Sequence, residues 1–473
     1  MNPVIKFCLI LSFLAVFFNC KGQEVTTDTG NKLYISAIVI EGNRVTKRNI
    51  ILREMMFSEG DSVLKEDLLS LLQRSRENLL NTSLFNFVTM DARHYPGNRI
   101  DVLISVTERW YIWPVPILEH ADRNFSAFLE NWDWSRINYG AWLKWENFRG
   151  RRELLTGKAR LGYKEQYALG YSKPNLGKYQ QHGIDIGFNF DRQHEIIYGS
   201  FENRPLNYKE DPSYAFSQEN VYFTYTFRKK IYTIHTIKFE YFNFWASDSV
   251  LILNPNYYGN GNKTMNFFML TYNFQYDNRD SKIYPLEGIA FKGRIEKPGL
   301  GIIRDFEYPN WWFTAAILYH HELLPRLYFA TANKGKYSVR KDVPYFHQKA
   351  LGYNEYMSGY EYYVIDGSDY FITKQILKYK LVKQRTAQIP FINFEQFTKL
   401  HYSIFINLFA DQGYVYNQDP EPGNLMANQL QYSCGIGLDF VTYYDQVLRL
   451  EYSVNRFGKG GFYVHMETPF RRW

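Results

Sequence analysis

The residue types able to do chemistry are present in this chain, but not in arrangements that do it. His320 and His321 stand side by side, yet neighbours on a strand point to opposite faces and cannot share one metal ion. His120 and Asp122 could orient and activate a nucleophile, but none lies beside them. Tyr258-Gly259-Asn260-Gly261-Asn262 has the glycines of a hairpin or loop, and Asp366-Gly367-Ser368-Asp369 is too short for a calcium loop. No segment carries a nucleophile elbow or a phosphate-binding loop. The expectation is a protein with no catalytic residues, no metal and no cofactor, whose polar groups serve internal hydrogen bonding.

The elements that must position such groups are announced by composition. Of 473 residues, 10 are Trp, 40 Tyr and 37 Phe, while hydrophobic residues make only 45%. That is too aromatic for a disordered chain and too evenly diluted for a helical membrane protein. It has too little of the Ala and Leu helix text usual in a large soluble enzyme. Aromatics interleaved with polar residues suit a transmembrane β-barrel, whose strands alternate faces and carry aromatic girdles. Lys6 followed by the apolar run Phe7 to Phe18 reads as a signal peptide, cut after Gly22; the alternative makes Cys20 a lipidated N-terminus. Loss of Lys6 and Lys21 takes the formal charge from +7 to +5, a spread-out excess that gives no reason to expect nucleic-acid binding. Cys434, left alone once Cys8 and Cys20 depart, can form no internal disulfide.

After a polar lead-in at 23–32, Leu33 to Ile40 reads as a strand, and Glu41-Gly42-Asn43 as a turn. Thr46 is expected to cap a helix carrying Ile50, Ile51 and Met55. Leu64, Leu68, Leu72 and Leu79 line one face of a second helix. Phe85 to Met90 and Ile100 to Val106 read as strands about the turn Tyr95-Pro96-Gly97-Asn98. This β-α-α-β-β order in residues 31–108, with Glu41-Gly42-Asn43, Leu84-Phe85 and the closing Val106-Thr107-Glu108-Arg109, resembles a POTRA domain. The resemblance implies a periplasmic module that captures extended chains by adding them to its sheet edge. The alternative is a spacer or plug.

Beyond Glu108 period-two alternation takes over. In Val447 to Asn455, Leu448, Leu450, Tyr452 and Val454 interleave with Arg449, Glu451, Ser453 and Asn455. Residues 109–473 have room for about 16 tilted strands with their connections. Asp277-Asn278-Arg279-Asp280 with Tyr284-Pro285, Phe409-Ala410-Asp411-Gln412-Gly413-Tyr414, Gly435-Ile436-Gly437-Leu438 and Leu448-Arg449-Leu450-Glu451-Tyr452 resemble, in order, segments of the outer-membrane assembly and translocation factors of the BamA/TamA surface-antigen type. That family's lumenal loop carries a Val-Arg-Gly-Phe/Tyr motif, matched here by Met357-Ser358-Gly359-Tyr360 with Asp366 and Gly367 beyond it. The resemblance implies that Asp411 and Gly413 face the lumen and that a motif arginine pairs with the aspartate. Here Ser358 replaces that arginine, so Asp411 needs a substitute cation or hydration, or the loop is more weakly anchored.

Trp113-Pro114-Val115-Pro116-Ile117 places two missing N–H donors on one edge of the first barrel strand. In this superfamily that strand meets the last one at a seam, here expected near Phe470 and Trp473, whose terminal aromatic resembles a barrel-assembly signal. The alternative places the prolines on a linker or on the turn side. The expectation is an outer-membrane insertase or translocator of a Gram-negative bacterium, with residues 31–108 in the periplasm. Its partners are outer-membrane lipid and extended client polypeptides, with room for accessory periplasmic or lipoprotein subunits. A single POTRA-like module departs from the family's multi-module insertases, which leaves room for an accessory insertase or a translocator with one dedicated client. The alternative is a passive pore or structural barrel with a docking arm.

Overall fold

The amino-terminal residues fold because two strands and a helix each bury one apolar stripe against the others. The computed structural model describes residues 31–120, 136–302, 306–388, 399–442 and 446–466. The expected signal segment, nearly all of the lead-in, Asp122, Phe470 and Trp473 lie outside these residues. The first unit comprises β1 (Lys32–Glu41), α1 (Arg48–Leu52), β2 (Ser62–Leu64), α2 (Lys65–Leu80), β3 (Phe85–Tyr95) and β4 (Arg99–Glu108). β1 runs parallel to β4, β3 antiparallel to it, and the sheet order is β2-β1-β4-β3. Ile35 and Ile38 of β1 and Ile100, Val102 and Ile104 of β4 are buried against Leu68, Leu72 and Leu79 of α2. Each such side chain contributes about 1.5–3 kcal/mol.

Two details differ from the sequence reading. β2 stands between the helices; three residues are too few to show a period. Thr46 caps no helix: α1 starts at Arg48 behind Lys47, without a side-chain cap bond. The Thr46 hydroxyl is instead buried between the Tyr111 hydroxyl at 3.1 Å and Asn147 Nδ2 at 2.9 Å.

From Ile112 to His465 sixteen strands follow one hydrogen-bonded order, which begins at Gly460–His465 and ends at Ile112–His120. No helix among the described residues is long and apolar enough to cross a membrane. Alternation assigns the faces. In Val447–Asn455 the buried set includes Arg449, Glu451, Ser453 and Asn455, while Leu448, Leu450 and Tyr452 are exposed. A water-soluble sandwich would bury the apolar set. Here the polar set faces the interior and the apolar set faces outward, as a barrel in lipid requires. His320 and His321 divide the same way, the first buried and the second exposed.

The connections also sort by end. Short turns at residues 149–152, 177–181 and 228–232 meet the amino-terminal module. At the opposite end lie the hairpin Glu195–Phe201/Arg204–Lys209 and the long connections 339–368 and 417–429.

Candidate functional site: lumen loop, open edge and docked module

The segment 339–368 folds back into the barrel because the wall leaves room for it. Ala290, Ala316, Ala330 and Ala332 present small side chains inward, and Leu351, Met357, Tyr360 and Ile365 of the loop pack in one cluster with them. Gly413 completes the fit, since a Cβ there would collide with Met357 Sδ. The chain passes the motif with Gly359 at φ +78°, left-handed backbone that favours glycine, and Asn455 Nδ2 donates to its carbonyl at 2.8 Å. The Tyr360 hydroxyl donates to the Tyr432 carbonyl at 3.1 Å. Asp366 is buried and accepts from the Ser200 and Tyr353 hydroxyls. At Gly367 the N–H donates to Gln348 O at 2.6 Å, and a Cβ would collide with the Tyr416 carbonyl. The hairpin roofs this loop: Val364 N–H donates to Asn203 O at 2.8 Å, and Asn424 joins Asn203 to Ser200.

Asp411 has two partners that do not involve a motif arginine. The Ser358 N–H donates to its Oδ2 at 3.0 Å, and Lys374 Nζ lies 3.3 Å from the same oxygen. Lys374 is the residue directly across the strand pair from Asp411, and both side chains are buried. The substitute cation therefore comes from the barrel wall.

A second buried pair was not singled out from the sequence. Arg449 grips Asp439 through Nε and Nη2, both at 2.6 Å, and the Tyr284 hydroxyl donates to Asp439 at 2.7 Å. The Arg-Glu alternation of the penultimate strand was visible, but its partner depends on strand register. Through Tyr284, packed with Phe405 and Val447, the turn at 278–287 tucks beneath the barrel wall.

The module is fixed to the turn end by charge. Glu54, just beyond α1, is buried and takes two bonds from Arg228, with Arg152 Nη1 at 3.4 Å. Burial alone would raise its carboxyl, but the Arg228 bonds and the charges of Arg228, Arg152 and Arg53 outweigh this and hold it below its ordinary range. Asn81 of the module takes the Lys282 N–H at 2.9 Å and donates to Asp280 O at 3.1 Å. Gly150 allows the close approach, for a Cβ there would collide with the Val45 carbonyl.

The edge of the sixteen-strand order is set by the prolines. Glu146 N–H donates to Tyr111 O at 2.7 Å, and the register pairs Ile112 with Trp145 and Pro114 with Leu143. In an antiparallel pair, alternate residues bond to the same neighbour. Trp113, Val115 and Ile117 therefore share the Tyr111 orientation toward Ile137–Phe148, while Ile112, Pro114 and Pro116 face away. In keeping with this, Ile112 O accepts from the Trp110 indole instead. Both missing donors thus lie on the side away from Ile137–Phe148, the edge of the sixteen-strand order among the described residues.

The module has its own edge at β3. Arg109 Nε donates to Phe85 O at 3.0 Å and Arg76 Nε to Val88 O at 2.9 Å, capping the first half of that edge. By the same alternation Met90, Ala92 and His94 turn their backbone groups outward. Beyond Val88 the strand runs on to Tyr95 with most side chains exposed.

Comparison with known proteins gives the following. Residues 147–454 match the Omp85 superfamily domain, and residues 33–109 match the surface antigen variable number repeat, a POTRA unit. A candidate outer membrane protein assembly factor of Treponema pallidum (strain Nichols) is 27% identical over 192 residues, covering 38% of this chain and 21% of that protein. The chain thus matches about a fifth of the length of that curated relative. Among solved structures, BamA from Haemophilus ducreyi lacking POTRA domains 1–3 aligns at TM-score 0.50 and 15% identity, over 92% of this chain and 83% of that one. CdiB from Escherichia coli aligns at TM-score 0.54 and 9% identity, over 91% of this chain and 75% of that one. At these identities the two structures share the fold.

Proposed function

The chain belongs to the Omp85 superfamily and is an outer-membrane protein with a periplasmic POTRA segment, and from that premise we propose that it inserts client polypeptides into the outer membrane or passes them across it. The observation that carries this reading is the position of Pro114 and Pro116, whose missing N–H groups lie on the open edge of the first strand. Each absent hydrogen bond lowers the stability of a first-to-last strand pairing by about 1 kcal/mol. Such a seam opens more readily than one in which both donors are present.

In this reading an extended client adds to β3 over Thr89–Tyr95, where main-chain bonds give affinity without reading much sequence. It then passes to the edge strand Ile112–His120 within a few residues of the module. The work is binding, strand exchange and local weakening of the wall, with no covalent step. A passive pore is the less favoured reading, because the loop at 339–368 occupies the lumen. Depletion of the protein followed by quantitative survey of the outer membrane tests the proposal. Selective loss of a set of outer-membrane or surface proteins is expected. An unaltered protein inventory with changed solute permeability alone would overturn it in favour of the pore.

A further inference from the structure

We propose that Glu361, Glu451 and His465 form a site for one divalent transition-metal ion of the zinc class, joining the lumen loop to the last two barrel strands. The three side chains come from three elements: the loop at 339–368, the strand Val447–Asn455 and the strand Gly460–His465. Their ligand atoms all lie within 4.8 Å of one another. On a tetrahedral zinc, ligand atoms stand about 3.3–3.5 Å apart, so the widest pair draws in by at most about 1.5 Å.

Two further observations point to a cation. Glu451 Oε1 and Glu361 Oε2 are buried without a well-formed hydrogen bond, their neighbours being His465 for Glu451 and the Tyr463 hydroxyl for Glu361, and the Glu451 side chain is only 2% exposed. Two carboxylates brought together in a shielded wall repel each other, and a shared cation removes that cost. His465 Nε2 stands 3.5 Å from Glu451 Oε1 and 4.0 Å from Glu361 Oε1, spacings that leave room for an ion among them. The outer contacts orient the donors. Gly359 N–H holds Glu361 Oε1 at 3.1 Å, and Arg449 Nη1 lies 4.0 Å from Glu451 Oε2. One imidazole with two carboxylates and no thiolate suits zinc, and leaves a fourth position for water.

The consequence falls on the seam. Gly460–His465 is a short strand whose described pairing is with Val447–Asn455 alone. An ion bound to His465 ties it to the loop motif and so braces the wall beside the open edge. The test uses the full chain folded in detergent micelles and stripped with chelator. Zn2+ is titrated by calorimetry, and Co2+ by visible absorption, which reports the coordination geometry. One ion per chain is expected, with affinity at least about tenfold weaker in His465→Gln and in Glu361→Gln. Heat-modifiable gel mobility verifies that each variant is folded. Absence of Zn2+ binding to the native chain, or equal binding in both folded variants, would overturn the site and leave His465 as a polar contact between two acids.

Discussion

A buried carboxylate is costly unless it is paired or hydrogen-bonded, and at Asp411 the paired cation is Lys374 from the facing strand. Removing one partner of a buried pair leaves the other uncompensated, at a cost of about 3–5 kcal/mol. Lys374→Met is therefore expected to lower the urea midpoint of the barrel and to raise protease cleavage within 339–368. Ser358→Arg alone should change that cleavage little, since Asp411 is already served, but should restore protection in the Lys374→Met background. A Lys374→Met protein as stable and protected as the parent would contradict this pairing. Glu54 allows a pH prediction with a definite sign. Its carboxyl is held below the ordinary value of 4.5, so its contribution to docking is fully present above that pH and is lost as pH falls through the lowered folded value. Cross-linking of module to barrel should weaken across that acidic window. Glu54→Gln should dock more weakly at neutral pH and show no such dependence.

Two elements, the lumen loop and β3, carry predictions of their own. The loop fits because Gly413 has no side chain, and overpacking a filled interior costs about 1–3 kcal/mol. Gly413→Val is expected to displace Met357, expose the loop to protease and raise the conductance of the barrel in planar bilayers from a small, closed-type value. At the module, Ala92 turns its N–H away from β4, so Ala92→Pro removes a donor from the free edge without costing a sheet bond. Cross-linking of extended client peptide to the module should fall about tenfold while the module stays folded; unchanged capture would show that β3 is not the acceptor. Strands and their faces were readable from sequence because period two is local: Leu448, Leu450 and Tyr452 announce the lipid face by themselves. The partners of Asp411 and Asp439 were not, because register links residues 37 and 10 positions away, and no local pattern sets it. Three-residue β2 and the roofing hairpin escaped for the same want of period. The prolines were visible as residues, but the edge they face required the Glu146–Tyr111 bond.

At the scale of the whole molecule, the chain is a sixteen-strand wall filled by its own loop, with a module docked through Glu54 and Asn81 beneath the turns. Wall and module each end in an edge strand; in the module that strand is β3, and its neighbour β4 ends at Glu108, four residues before the first wall strand begins at Ile112. In the proposed path one extended client leaves β3 and meets Ile112–His120 without crossing the filled lumen. The central claim is that the seam beside the two prolines must open. It is tested most directly by a disulfide between cysteines placed on Ile112–His120 and on Gly460–His465, in a Cys434→Ser background because Cys434 is exposed. The account predicts that oxidation abolishes assembly of the depletion-sensitive outer-membrane proteins and that reduction restores it. Undiminished assembly by the fully cross-linked protein would contradict it.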